Sequence, residues 1–400
     1  MNILKLNNYY EVLGGSDRVF LNTGKLLADY GHNVHWFASS HNYQKNNSED
    51  VTLIEPLNRP PRAQDYPRYL YNQRARTAIG NVLKNSSERF NIAHAHIYYG
   101  QLTTSIIDPI KREGIPLVQT LHEYKMVCPI YTMERDGSVC SECLDRGMHR
   151  LLVNRCKESS LVKSLATLGE QIFSRVAGDI AKVDKFICVS NFQKNLMETS
   201  GIPVEKLVTL HNFVHLNHDT EISTPIKKHP YFFYFGRLEK LKGIDTLMEA
   251  VEKAQVKCVI AGDGPLKEYV VRRASKSDFV EYIGFINGAN LRDHIRNAHA
   301  VVVPSEWFEN CPMSVLEAKA EGTPVIGSRI GGIPELIRDG DDGFIFTAGN
   351  VDSLVEKLEQ MMVADRSQLS QECVADIRNR FCADKHYKEL ISLYQSVLED

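Results

Sequence analysis

The chain has 400 residues, more than a single hydrophobic core usually organises, so two domains are the expectation. Its 43% hydrophobic and 24% charged residues suit an ordinary globular chain, and a formal net charge of −3 gives no bulk attraction for nucleic acid. The opening MNILKLNNYY has no charged region leading into an apolar one, and no run approaches the roughly eighteen apolar residues of a membrane span, so a cytoplasmic location is expected.

From residue 3 to about 210, short apolar strands at 3–6, 34–38, 92–96, 117–121, 186–189 and 207–210 alternate with helical patterns. Such alternation predicts βαβ units and a parallel sheet. A polar, proline-containing stretch from 217 to 230 interrupts it. A second run of the same kind then places strands at 232–235, 257–261, 280–283, 300–304, 324–327 and 344–346. The fold class expected is α/β, with two Rossmann-like domains facing each other across a cleft.

In the first half, Gly14 and Gly15 occupy the turn after the first strand, where glycine lets a backbone approach a ligand closely. Between 59 and 89, Arg59, Arg62, Arg68, Arg74, Arg76, Lys84 and Arg89 face only Asp65 and Glu88, a local charge of +5 with Tyr66, Tyr69 and Tyr71 interleaved. A solvated helix explains such a run, and contact with anionic lipid or a lipid diphosphate is the functional alternative. His122 follows the strand at 117–121 and is placed to hydrogen-bond a ligand hydroxyl. Four of the nine cysteines form Cys128-x11-Cys140-x2-Cys143-x12-Cys156, a donor set suited to a structural Zn or to reduced thiols.

In the second half, Arg237 and Lys242 lie in GRLEKLKG at the end of a strand, a planar fork and a mobile point charge suited to a diphosphate. Gly262 and Gly264 lack the third glycine of a dinucleotide fingerprint and read as shaping a pocket. Asp339, Asp341 and Asp342 alternate with Gly340 and Gly343, which makes a turn rather than a metal site. Most informative is VPSEWFENCPMSVLEAKAEGTPVIGSRIGGIPE at 303–335. Asn310 or Cys311 is expected to cap a helix with Pro312 at its first position and Gly322 at its end. The free amides there make an anion site, with Glu309 at its mouth and Glu317 about two turns along. Diphosphate on the amides and hydroxyls on the carboxylates describe a sugar nucleotide.

The Glu-x7-Glu pair, the GTPV strand and the GG-x-PE turn resemble the donor site of retaining nucleotide-sugar glycosyltransferases of family 4, which have the GT-B fold. Gly14-Gly15, the GH-x-V step at Gly31-His32-Asn33-Val34, His122, Ser190, GRLEKLKG and Gly262-Asp263-Gly264-Pro265 extend the likeness over nearly the whole chain in the right order. The resemblance implies an acceptor domain at 1–214 with the cysteine insert at 128–156, a donor domain at 215–384, and a terminal helix at 385–400 crossing back onto the first domain. It assigns catalytic roles to His122, Glu309, Arg237 and Lys242. Donor contacts fall to Gly14, Gly15, Ser190, Gly236, Arg237, Lys242, Gly262, Gly264, Glu309, Asn310, Cys311, Met313, Ser314 and Glu317. No catalytic cofactor is implied. The activity implied is transfer of a sugar from a UDP- or GDP-sugar to a hydroxyl of a glycan or lipid-linked acceptor, as in bacterial surface polysaccharide synthesis, with peripheral contact at the inner face of the plasma membrane. Rival readings are a GT-B sugar-nucleotide epimerase, a nonenzymatic sugar-nucleotide-binding partner, and a binding module organised by a metal in the cysteine insert.

Overall fold

The computed structural model describes residues 1–43, 48–57, 66–216 and 230–399. Its strands are β1 (Asn2–Tyr9), β2 (Asn33–Ser39), β3 (Val51–Ile54), β4 (Ile92–Ala95), β5 (Leu117–Leu121), β6 (Glu134–Arg135), β7 (Ser138–Val139), β8 (Lys185–Cys188), β9 (Leu207–Thr209), β10 (Phe232–Arg237), β11 (Cys258–Asp263), β12 (Val280–Tyr282), β13 (Ala300–Val303), β14 (Val325–Ser328) and β15 (Gly343–Phe346). They form a parallel sheet in the order β3-β2-β1-β4-β5-β8-β9 and a second in the order β12-β11-β10-β13-β14-β15. The strands β6 and β7 pair as a small antiparallel hairpin.

Helices on both faces of a parallel sheet exclude water from its strands, so these read as unbroken apolar runs. In β13 the four residues AVVV are all buried, as are all four of β4. The four-residue β3 lay below the signal of its sequence, since a short VTLI run at an edge shows little periodicity.

Each sheet reverses its winding once. In the first, β1 lies between β2 and β4, and in the second β10 lies between β11 and β13. Loops leaving the carboxyl ends of those central strands diverge and leave a crevice. That topology brings Gly14 and Gly15 after β1, His96 after β4, Lys242 after β10 and Glu309 after β13 to the two sides of one cleft. The terminal helix Ala383–Glu399 packs Leu390, Leu393, Tyr394 and Val397 with Ile3, Ile92, Val118 and Ile187 in the first sheet's core.

The helix Met313–Ala320 is tied down from behind by a buried cation. Lys319 is fully buried, and its ammonium reaches Asp376 Oδ2 at 2.5 Å, Asp342 Oδ2 at 2.9 Å and the Leu336 carbonyl at 2.7 Å. Asp342 is thus a structural anion within its glycine-bounded turn. Lys319→Met leaves two buried carboxylates facing Arg338 and Arg380 alone, and should destabilise the fold by about 3 kcal/mol in urea unfolding, against a change within about 0.5 kcal/mol for an exposed lysine such as Lys253.

Candidate active site

The site is built on the loop between β13 and the helix Met313–Ala320. Pro312 is the N-cap of that helix, with φ −65° and ψ 120°, and no side chain caps it. This corrects the expected start: Asn310 and Cys311 lie outside the helix, and Pro312 precedes its first turn instead of opening it. The cause is the extended ψ of Pro312, which turns the chain into the helix at Met313. Glu317 consequently stands in the second turn, closer to the open amides of Met313 and Ser314 than the sequence suggested.

Two glycines position the loop. Gly331 has φ +58°, and a Cβ there would fall 2.3 Å from the Glu309 carbonyl oxygen. At Gly332 a Cβ would fall 1.9 Å from the Asn310 carbonyl oxygen and 2.9 Å from Ser190 Cβ, while its amide donates to the Glu309 carbonyl at 2.7 Å. Only a residue without a side chain lets these backbones touch.

Glu309 is held by cations and hydroxyls of its own domain. Its Oε1 accepts from Lys242 Nζ at 2.5 Å and from Ser305 Oγ at 2.8 Å. The Lys242 ammonium also lies 5.1 Å from the Trp307 ring, and Trp307 Nε1 donates to the Thr132 carbonyl of the first domain at 2.5 Å. Arg237 stands apart at the end of β10, with 72% of its side chain exposed and Glu239 at 2.6 Å. The structure therefore joins Lys242 to Glu309 and leaves Arg237 in solvent.

Across the cleft, Gly14 caps the helix Gly15–Asp29, and a Cβ on either Gly14 or Gly15 would meet nothing within 4 Å. One turn in, Arg18 donates to Glu317 Oε1 at 2.7 Å, an ion pair spanning the cleft. Burial pushes the Glu317 carboxyl up, and Arg18 opposes that. Asn310 Nδ2 donates to the His122 carbonyl at 2.9 Å. Ser190 caps the helix Asn191–Thr199 by accepting from the Gln193 amide at 3.1 Å. Glu335, which the sequence reading left without a role, crosses to the same helix and accepts from the amides of Asn191 at 2.7 Å and Phe192 at 2.6 Å and from His211 at 3.0 Å. Burial raises its affinity for protons, but those donors hold it below the usual carboxylate range.

His122 ends a buried chain of rings. Its Nε2 lies 2.8 Å from His96 Nδ1, and His96 Nε2 lies 2.6 Å from Lys5 Nζ. Lys5 and His96 are essentially inaccessible to water. With Lys5 as donor, His96 bears its proton on Nδ1 and passes a hydrogen bond to His122 Nε2, which assigns the His122 proton to Nδ1. Burial, with the Lys5 charge behind it, lowers His122 to about 3, so the ring is neutral and serves as a hydrogen-bond partner, not a cation. A lysine inside an apolar strand and two further histidines were the available sequence signal for this chain, and it was not read.

The remaining glycines serve the backbone. A Cβ on Gly262 would fall 1.9 Å from the Gly236 carbonyl oxygen, and one on Gly264 would fall 2.7 Å from that of Leu238, so these residues let β10 and β11 and the turns after them run close together. Cys311 is buried in the second core, where burial raises its thiol to about 12, and Met313 is packed partly against that core. Ser314 lies in the first turn of the helix Met313–Ala320.

Cys128, Cys140, Cys143 and Cys156 line one cavity together with Val127, Ile130, Met133, Leu144 and Leu151. Among the described residues no group of three or more His, Cys, Asp or Glu side chains is placed to hold a metal ion. The four thiols are thus drawn to one cavity but not into a coordination shell. Burial first, and the neighbouring sulfurs second, raise Cys143 to about 12.

Two parallel-sheet domains that share a cleft lined by a carboxylate, a lysine and an open helix start have the architecture of the GT-B glycosyltransferases they resemble in fold. Residues 13–218 match the family described as Glycosyltransferase Family 4, and 218–380 match Glycosyl transferases group 1. The chain belongs to glycosyltransferase family 4. It is 22% identical over 410 residues to N-acetyl-alpha-D-glucosaminyl L-malate synthase of Bacillus anthracis, covering 98% of this chain and 96% of that one. An uncharacterized glycosyltransferase of Methanocaldococcus jannaschii is 30% identical over 175 residues, 42% of this chain and 45% of that relative's length. In fold, the chain resembles a glycosyltransferase from Rickettsia africae (TM-score 0.72, 17% identity, 100% and 99% covered) and Anabaena HepE in complex with UDP (TM-score 0.70, 15% identity, 99% and 100% covered).

The histidine chain makes a pH prediction. His122 and His386 fall to about 3, and His94 and His96 also fall well below the usual value, with burial the leading cause for each. Unfolded histidines bind a proton below about 6.5 and these folded ones do not, so stability is fully present above that pH and is lost as the pH falls toward 3. The unfolding free energy should drop by about 1.4 kcal/mol per pH unit for each of His122 and His386 across that window, with His94 and His96 acting in the same direction. Urea midpoints unchanged from pH 7 to 4.5 would contradict the assignment.

Proposed function

We propose that this chain transfers a sugar from a UDP- or GDP-sugar to a hydroxyl of a glycan or lipid-linked glycan, with retention of anomeric configuration, at the inner face of a bacterial plasma membrane during surface polysaccharide synthesis. The observation that carries the reading is the pairing of Glu309 with Lys242 beside the uncapped start of the helix Met313–Ala320. The diphosphate occupies the helix amides, with Lys242 and a reoriented Arg237 neutralising the charge that develops on the leaving oxygen. Glu317 exchanges its bond to Arg18 for the ribose hydroxyls. Glu309 faces the sugar, and the His122 N–H donates to one of its hydroxyls. The acceptor oxygen bonds to the anomeric carbon as that carbon's bond to the phosphate oxygen breaks, and the acceptor proton leaves on the departing diphosphate. Support for the donor class comes from HepE structures with UDP and with UDP-glucose, and from likeness to a GDP-mannose-dependent alpha-mannosyltransferase of Corynebacterium glutamicum, 27% identical over 173 residues.

Calorimetry and turnover test these roles separately. Lys242→Ala should lower turnover by about a hundredfold, the effect of removing one preorganised donor worth roughly 3 kcal/mol, with the fold unchanged by circular dichroism. Glu317→Ala should weaken nucleotide binding, whereas Glu309→Ala should spare nucleotide affinity and damage transfer. Normal binding and normal transfer in both carboxylate variants would remove the pair from the site.

A further inference from the structure

The helix Leu161–Val176 is built inside out. Leu161, Val162, Leu165, Ile172, Phe173 and Val176 are all exposed, Val162 to 72% and Val176 to 82%. At 3.6 residues per turn they share an arc of about 120°, so they form one stripe and not scattered positions. The opposite face carries Ser164 and Gln171, both buried against the protein. Ser164 Oγ accepts from the Lys157 amide at 3.1 Å. A helix that turns its polar face inward and its apolar face to water has a partner that supplies an apolar surface.

Charge identifies that partner. From 146 to 176 the chain has the six cations Arg146, Arg150, Arg155, Lys157, Lys163 and Arg175 against Glu158 and Glu170, with Glu142 and Asp145 just ahead of them. Arg150 is paired with Glu142 at 2.5 Å and Lys163 with Glu158, so the local excess rests on Arg146, Arg155, Lys157 and Arg175. Glu170 is further neutralised by Lys125 at 2.8 Å. The helix Tyr66–Leu70 lies alongside, and the Tyr71 ring meets Phe173 edge-on with centroids 6.1 Å apart. The basic and aromatic stretch noted in the sequence therefore borders this stripe, although Arg74 is answered by Glu55 at 2.7 Å, Arg76 lies 3.9 Å from Asp108, and Arg59 and Arg62 lie outside the described residues. An apolar helix face rimmed by lysine and arginine suits the interface of an anionic bilayer. Among the described residues no helix is long and apolar enough to cross a membrane, so the contact is with one leaflet.

We propose that the helix Leu161–Val176 lays its apolar face into the surface of an anionic lipid bilayer and orients the cleft toward it. The helix is joined to the acceptor side of the cleft, because Lys125, its ion-pair partner through Glu170, stands three residues after His122. Docking there presents a lipid-borne hydroxyl to His122, a use that rests on the transferase reading, while the docking itself does not.

Flotation with vesicles tests the docking. The protein should float with phosphatidylglycerol–phosphatidylcholine vesicles and remain behind with phosphatidylcholine alone, and added salt should weaken the binding. A triple variant, Val162→Glu, Leu165→Glu and Val176→Glu, changes only exposed positions. It should keep the wild-type melting temperature and circular dichroism and lose at least about tenfold in vesicle affinity. The proposal is overturned if the wild type fails to float, if the folded triple variant floats equally well, or if sedimentation shows that the stripe instead joins two copies of the chain. Flotation without any nucleotide binding by calorimetry would keep the docking and sink the transferase reading.

Discussion

The contact of Gly331 and Gly332 with the backbone of Glu309 and Asn310 is the constraint on which the cleft depends. Separations this short admit no β-carbon, so the turn after β14 fixes where Glu309 stands and which way Asn310 points. The same turn abuts Ser190 and delivers Glu335 to the start of the helix Asn191–Thr199. A carboxylate at a helix N-terminus meets two donors and a favourable dipole, which makes it a good anchor between domains. One short segment thus shapes the loop after β13 and fastens it to the helix Asn191–Thr199 of the first domain.

The carboxylates of the cleft are both paired. Glu317 is paired with Arg18 from the opposite domain, and Glu309 with Lys242 from its own. Neither carboxylate is left alone in a partly desolvated place, which would be unfavourable. On the proposed reading, a nucleotide that offers ribose hydroxyls to Glu317 and phosphate to the cations replaces one satisfied set of bonds by another. By contrast, His96 and His122 beside the buried Lys5 form a fixed arrangement: burial first, and the Lys5 charge second, lower the proton affinity of both rings, so they supply direction to a hydrogen bond.

Much of the architecture was legible because parallel strands buried on both faces give unmistakable apolar runs, and β1, β5, β10 and β13 lie where those runs stand. The loop after β13 was legible as a motif but not in detail: Pro312 fits both a first helical position and an N-cap, and only the packing of the loop decides its ψ. Glu335 and Arg18 act across domains, so no local pattern marks them. The stripe from Leu161 to Val176 escaped for another reason, since an amphipathic pattern reports that one face is apolar and not whether that face points inward. The cysteines were read from spacing alone, and spacing does not fix whether four side chains converge on a cavity or on a point.

The most direct test of the central claim is a crystal structure with a nucleoside diphosphate bound. The account predicts diphosphate oxygens within hydrogen-bond distance of the Met313 or Ser314 amide, ribose hydroxyls on Glu317, and Arg18 displaced from it. A nucleotide seated elsewhere, with the Arg18–Glu317 pair intact, would contradict it.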